Sequence, residues 1–138
     1  MEQRDYLLRE IEKIGAIMSA IRQKLFGGKG NLAITLEQQV NDTKGMLLDK
    51  MNFDLDNFLE LNVEDTNEYL KNIEGFSVEN IEILAEIISE IGFDNKCDNS
   101  QKYLEKALQL YELCGFKSKT FSFEREANIN AIKNVLAT

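Results

Sequence analysis

A chain of 138 residues, 43% hydrophobic and 29% charged, can bury about two-thirds of its unfolded surface in one domain and is too apolar to be disordered. Its formal net charge of −8 repels phosphate backbones and argues against a nucleic-acid partner. The sequence has no histidine, and neither Cys97 nor Cys114 belongs to a C-x-x-C pair, so the ligands of a structural zinc site and the commonest general base are missing; no apolar run approaches the ~18 residues of a membrane span.

The first 30 residues are mildly basic, with six Lys/Arg against four Asp/Glu; residues 31–138 hold ten against twenty. A helix is predicted from about Asp5 to Phe26. Leu7, Ile11, Ile14, Met18, Ile21 and Leu25 recur at steps of four and three, a heptad seam broadened by Leu8 and Ile17. The seam either pairs with a second copy, making these six residues a dimer interface, or docks on the rest of its own chain. Its shortness, under three heptads, favours the second. Arg9, Lys13, Arg22 and Lys24 would suit a helix lying on anionic lipid, but Glu2, Asp5, Glu10 and Glu12 offset them. The glycine-rich run Phe26–Asn31 lacks the spacing and the preceding strand of a phosphate-binding loop and reads as a helix stop and turn.

A second helix begins near Leu32 or Thr35, with Thr35 and Gln38 in capping-box register. Leu36, Val40, Met46, Leu47 and Met51 mark its buried side, and a bend or a pause is expected across Asn41–Gly45. Phe53 to Phe76 divides into two short helices, the first carrying Phe53, Leu55, Phe58, Leu59 and Leu61, the second Tyr69, Leu70 and Ile73 behind a start at Asn62 or Asp65. Six acids lie here: Asp54, Asp56, Glu60, Glu64, Asp65 and Glu68. They open like a calcium loop, but the third ligand position is Phe58, the glycine position Leu59 and the twelfth Asp65, so they read as a solvated acidic face.

From Ser77 to Leu136 three amphipathic helices follow one another. Ser77 is set to cap the first, whose apolar face is Val78, Ile81, Leu84, Ile87, Ile88 and Ile91, with Glu79, Glu82, Glu86 and Glu90 opposite and Gly92 expected as a left-handed stop. Asp98 and Gln101 could box the start of the second, which carries Tyr103, Leu104, Ala107, Leu108, Leu110, Tyr111 and Cys114 and is expected to end at Gly115. Cys114 reads as a small core residue, Cys97 as a thiol in the preceding turn. Ser122 is set to cap the third helix, with Ile129, Ile132, Val135 and Leu136 as its stripe. Between the last two helices Lys117 and Lys119 form a basic patch that could meet a carboxylate of a peptide partner. Glu90 with Asp94 is the nearest approach to a catalytic pair, and at helical spacing reads as solvated.

Two antiparallel helices of this length resemble one tetratricopeptide unit of about 34 residues. With Ile81 at its first position, the large sites fall on Leu84, Ile87 and Ile91, and the second helix supplies bulky Leu104 and small Ala107. Ile88, Ser100 and Glu112 depart from the pattern. The opening Asp5–Ile11 and the closing Lys119–Glu126 resemble a family of small, uncharacterised bacterial all-helical proteins with a tetratricopeptide-like C-terminal part. That resemblance implies a fold and a bacterial origin and carries no catalytic residue across.

The expected fold is therefore all-α, a helical-hairpin array (tetratricopeptide-like superhelix) with a long N-terminal helix and a C-terminal capping helix. It forms one domain over residues 1–138: the heptad helix and turn to residue 30, middle helices over 31–76, and hairpin plus cap over 77–138. The expected function is a non-catalytic adaptor or scaffold that binds a protein or peptide and needs no cofactor or metal. No secretion signal is apparent, which makes the cytoplasm the expected address. A homodimer through the first helix is the alternative, and an enzyme of unknown type the remote one.

Overall fold

The helix Val78–Gly92 (α5) is the axis of the protein. Nine of its fifteen residues are buried, and neighbours cover it on two sides. In this computed structural model, which describes residues 2–27, 35–94 and 99–138, the other helices are α1 (Glu2–Gly27), α2 (Leu36–Met51), α3 (Leu55–Leu59), α4 (Val63–Lys71), α6 (Ser100–Ser118) and α7 (Phe123–Leu136). Among the described residues there is no strand, so the all-helical expectation is met.

The helix starts follow from short polar side chains placed where backbone N–H groups lack intrahelical partners. Thr35, Asp54, Asn62, Ser77 and Ser122 each accept from the backbone N–H three residues on. Asp98 lies outside the described residues, as do Cys97 and the turn after Gly27; α6 starts behind Asn99, whose side chain makes no capping bond.

α6 runs antiparallel to α5. Gly92 at the end of α5 meets Leu104 near the start of α6, and the Cys114 thiol near the end of α6 lies 3.7 Å from the Val78 carbonyl at the start of α5. α7 folds back along α6, with Asn128 donating to the Tyr111 hydroxyl. On the other side α1 lies parallel to α5. The Asn80 amide donates to the Ile11 carbonyl at one end, and Arg22 pairs with Glu86 at 3.1 Å further along. α1 also touches α2, which leads through α3 back to α6. Phe53, Phe58 and Tyr69 stack in the angle between α2, α3 and α4, with ring centroids 4.8–5.6 Å apart.

Several expectations need correction. Gly92 is helical rather than left-handed. A Cβ there would stand 2.8 Å from Leu104, so its value lies in letting α6 approach. Gly115 does not end α6. The helix continues to Ser118 and stops at Lys119, which takes the left-handed conformation with φ 56°. α2 does not pause at Asn41–Gly45: it runs as one helix from Leu36 to Met51, with the Thr43 hydroxyl donating back to the Gln39 carbonyl. In α7 Ile129 and Ile132 are buried, but Val135 is exposed.

Among the described residues Asn67 Oδ1 and Arg125 Nε are buried without a hydrogen-bond partner, whereas the ammonium of Lys106 is tied down. Lys106 is buried, and among the described residues it forms no ion pair with a carboxylate. Its ammonium donates to the Leu61 carbonyl (2.7 Å), the Thr66 hydroxyl (2.7 Å) and Gln109 (3.1 Å), and lies 5.1 Å from the centre of the Phe58 ring. It thereby fastens the α3–α4 turn to α6. Burial pushes its pKa below the usual lysine value, and nearby Glu60 works the other way. Burial also pushes the Cys114 thiol up to about 12, which keeps it protonated and unreactive.

Candidate functional site

α1, α5 and α6 bring three distant segments to one end of the molecule. Because α1 is parallel to α5 and α6 antiparallel to it, the start of α1, the α4–α5 turn and the end of α6 lie together. The turn is shaped by Gly75, whose φ of 85° suits a residue without a Cβ. A Cβ there would come 2.5 Å from the Glu10 carbonyl, so this glycine lets α1 rest directly on the turn. Asn80 locks the contact, its amide donating to both the Ile11 and Gly75 carbonyls, at 3.1 and 2.8 Å.

Past that contact the surfaces diverge and leave an open groove of about 370 Å³. Leu7 and Ile11 from α1, Leu70 from α4, and Ile73 and Phe76 from the turn give it an apolar lining. Its charged lining residues are Lys71, Glu74 and Lys117. The Glu74 carboxylate, as a hydrogen-bond acceptor and a negative charge near the exposed Tyr6 phenol, raises the tyrosine pKa. Lys71 lies 3.9 Å from Glu68 in an exposed pair, an arrangement that holds a lysine only loosely. Glu74, the acid that lines the groove among the described residues, is exposed.

Three of the residues singled out in the sequence meet here: Leu7, Ile11 and Lys117. The other four members of the heptad seam do not. Ile14, Met18, Ile21 and Leu25 are buried in the core of their own chain, so the seam docks internally along most of its length. Leu7 is 48% exposed and Tyr6 and Leu8 are as open beside it. Lys119 stands outside the groove as the exposed residue that ends α6. Leu70, Ile73 and Phe76 were visible in the sequence only as apolar positions of a short helix and a turn, and nothing there pointed them at Leu7.

The six acids of residues 54–68 are all exposed, as a solvated face requires. Asp54 caps α3, Asp56 meets Lys44 at 2.8 Å and Glu60 meets Lys102 at 2.7 Å. Among the described residues no group of histidine, cysteine, aspartate and glutamate is placed to hold a metal ion, and no helix is long and apolar enough to cross a membrane.

The architecture defines an all-helical protein with an open groove at one end. Comparison with known protein families, with curated proteins and with solved structures finds no match to this chain.

Proposed function

We propose that this protein is a non-catalytic interaction module, an adaptor or scaffold of the cytoplasm, and that the groove between α1, the α4–α5 turn and the end of α6 receives a short apolar peptide segment carrying a carboxylate. The observation that carries this reading is the groove itself: an apolar lining with Lys71 and Lys117 beside it, in a chain whose net charge is −8. A volume of about 370 Å³ falls within the range of specific ligand sites and would admit a few side chains. Lys71 and Lys117 outnumber Glu74 in the lining and so favour a negative group at a place where most of the surface repels one. We read the α5–α6 hairpin, with its close approach at Gly92, Leu104 and Ala107, as tetratricopeptide-like and α7 as its closing cap, and the family resemblance of the two end segments supports the same class. The non-catalytic reading rests on the lack of histidine in the sequence.

The homodimer alternative has little surface left to use. With Ile14, Met18, Ile21 and Leu25 inside, the exposed large apolar side chains of α1 among the described residues are Tyr6, Leu7, Leu8 and Phe26, split between its two ends.

An array of short apolar peptides, each made with a free and with an amidated C-terminus, tests the proposal. Free-acid peptides should bind in the micromolar range, amidation should weaken them about ten-fold, and Lys117→Glu should do the same. Equal binding of acid and amide forms, undisturbed by Lys117→Glu, would overturn the assignment of the groove.

A further inference from the structure

The turn between α6 and α7 has a separate character. Phe116, Phe121 and Phe123 are 80%, 69% and 84% exposed, the three most open of the protein's large apolar side chains among the described residues. The rings of Phe121 and Phe123 meet edge to face, centroids 4.8 Å apart and planes at 87°. The turn is braced from within. Arg125, itself buried, donates to the Ser118 hydroxyl at 3.1 Å and the Thr120 carbonyl at 3.3 Å, and pairs with Glu82 of α5. Ser122 caps α7 behind it. The phenylalanines are therefore held outward by a fixed scaffold, although water contact at three aromatic rings is costly.

Charge narrows the choice of what covers them. Residues 116–123 contain Lys117 and Lys119 and no acid, in a chain with 24 acids and 16 basic residues. A second copy of the same turn would set these lysines against their own twins. A folded partner needs roughly 800 Å² on each side, more than an eight-residue turn presents. A projecting aromatic pair with lysines on its N-terminal side matches the interfacial layer of an anionic bilayer, where aromatic rings settle at headgroup depth and each lysine near the surface adds attraction. Glu112, Glu124 and Glu126 lie exposed just outside the turn, so ring insertion leads and the lysines add preference for negative lipid.

We propose that the Phe116–Phe123 turn docks this protein peripherally on anionic lipid bilayers, Phe121 and Phe123 entering the headgroup layer with Lys119 beside the lipid phosphates. Lys117 borders both the turn and the groove, whereas Phe121, Phe123 and Lys119, which carry this proposal, do not line the groove.

Co-sedimentation of the full chain with vesicles of phosphatidylcholine and phosphatidylglycerol, in a ratio of about 2:1, tests it. The protein should pellet with these vesicles and less with phosphatidylcholine alone. Phe121→Ser/Phe123→Ser should lower vesicle affinity about ten-fold or more with the thermal midpoint and groove peptide binding unchanged, and Lys119→Glu should remove the preference for anionic vesicles. Protein left in the supernatant, or a double variant that pellets like the parent, would overturn the proposal. So would a concentration-dependent dimer in lipid-free buffer that the double variant abolishes, which would make the occupant a second copy.

Discussion

The two halves of α1 carry one apolar pattern and meet different fates. From Ile14 to Leu25 the seam is sealed against the protein's own core, whereas Tyr6, Leu7 and Leu8 face outward. The difference arises in what lies opposite. Beside the second half runs α5, a nearly continuous apolar wall whose Glu86 also pairs with Arg22. Beside the first half α5 has not yet begun, and the chain enters it through the turn at Gly75. A single repeat in sequence thus builds a core at one end and a groove at the other, and the boundary is set by where the neighbouring helix begins.

The sharpest way to break this comparison is to make the same cut in both halves. Ile21→Ala should cost about 2–5 kcal/mol of stability in denaturant unfolding, as removal of a fully buried branched side chain does. Leu7→Ala should cost less than about 0.5 kcal/mol. Comparable losses at the two positions would mean that the groove end is as closed as the core. Gly75→Ala probes the boundary itself. It forces a Cβ onto the Glu10 backbone at a left-handed position, and should cost about 2 kcal/mol or more while loosening α1 from the turn, read as faster amide exchange over residues 4–11.

A smaller effect separates the sealed interior from the open end by pH. The Cys114 thiol, pushed up from 9.0 to about 12 chiefly by burial, and the Tyr111 phenol, raised for the same reason, hold their protons in the folded state where the unfolded chain would release them. Their contribution is complete below pH 9 and falls away as pH rises toward 12. Lys106, with a lowered pKa, acts in the opposite sense below its ordinary 10.5, since there the unfolded chain takes up the extra proton. Cys114→Ala should therefore flatten the alkaline loss of stability between pH 9 and 12, by at most about 1.4 kcal/mol per pH unit. An unchanged slope would mean that the thiol is not sealed from water.

Local chemistry was legible in the sequence where one residue type has one cheap role. Ser77, Ser122, Thr35 and Asn62 cap the helices that their positions announced, and the isoleucines of α5 are buried as their spacing required. Glycine was misread where packing overrode local preference. Gly92 serves the approach of Leu104, and Gly115 sits inside a helix that Lys119 ends. Lys106 gave a faint sign, falling on the face of Tyr103, Ala107 and Leu110, but its acceptors at Leu61 and Thr66 lie 45 and 40 residues away in sequence. The groove was the least legible feature, because its lining comes from three segments joined only by the parallel packing of α1 on α5.

The central claim is that binding happens at the groove and nowhere along the sealed helices. Amide chemical shifts of the labelled protein, followed by NMR while a free-acid apolar peptide is added, test it most directly. Shifts confined to residues 6–11, 70–77 and 117 would agree with the account; shifts centred on the outer faces of α2 or α7, with those segments silent, would contradict it.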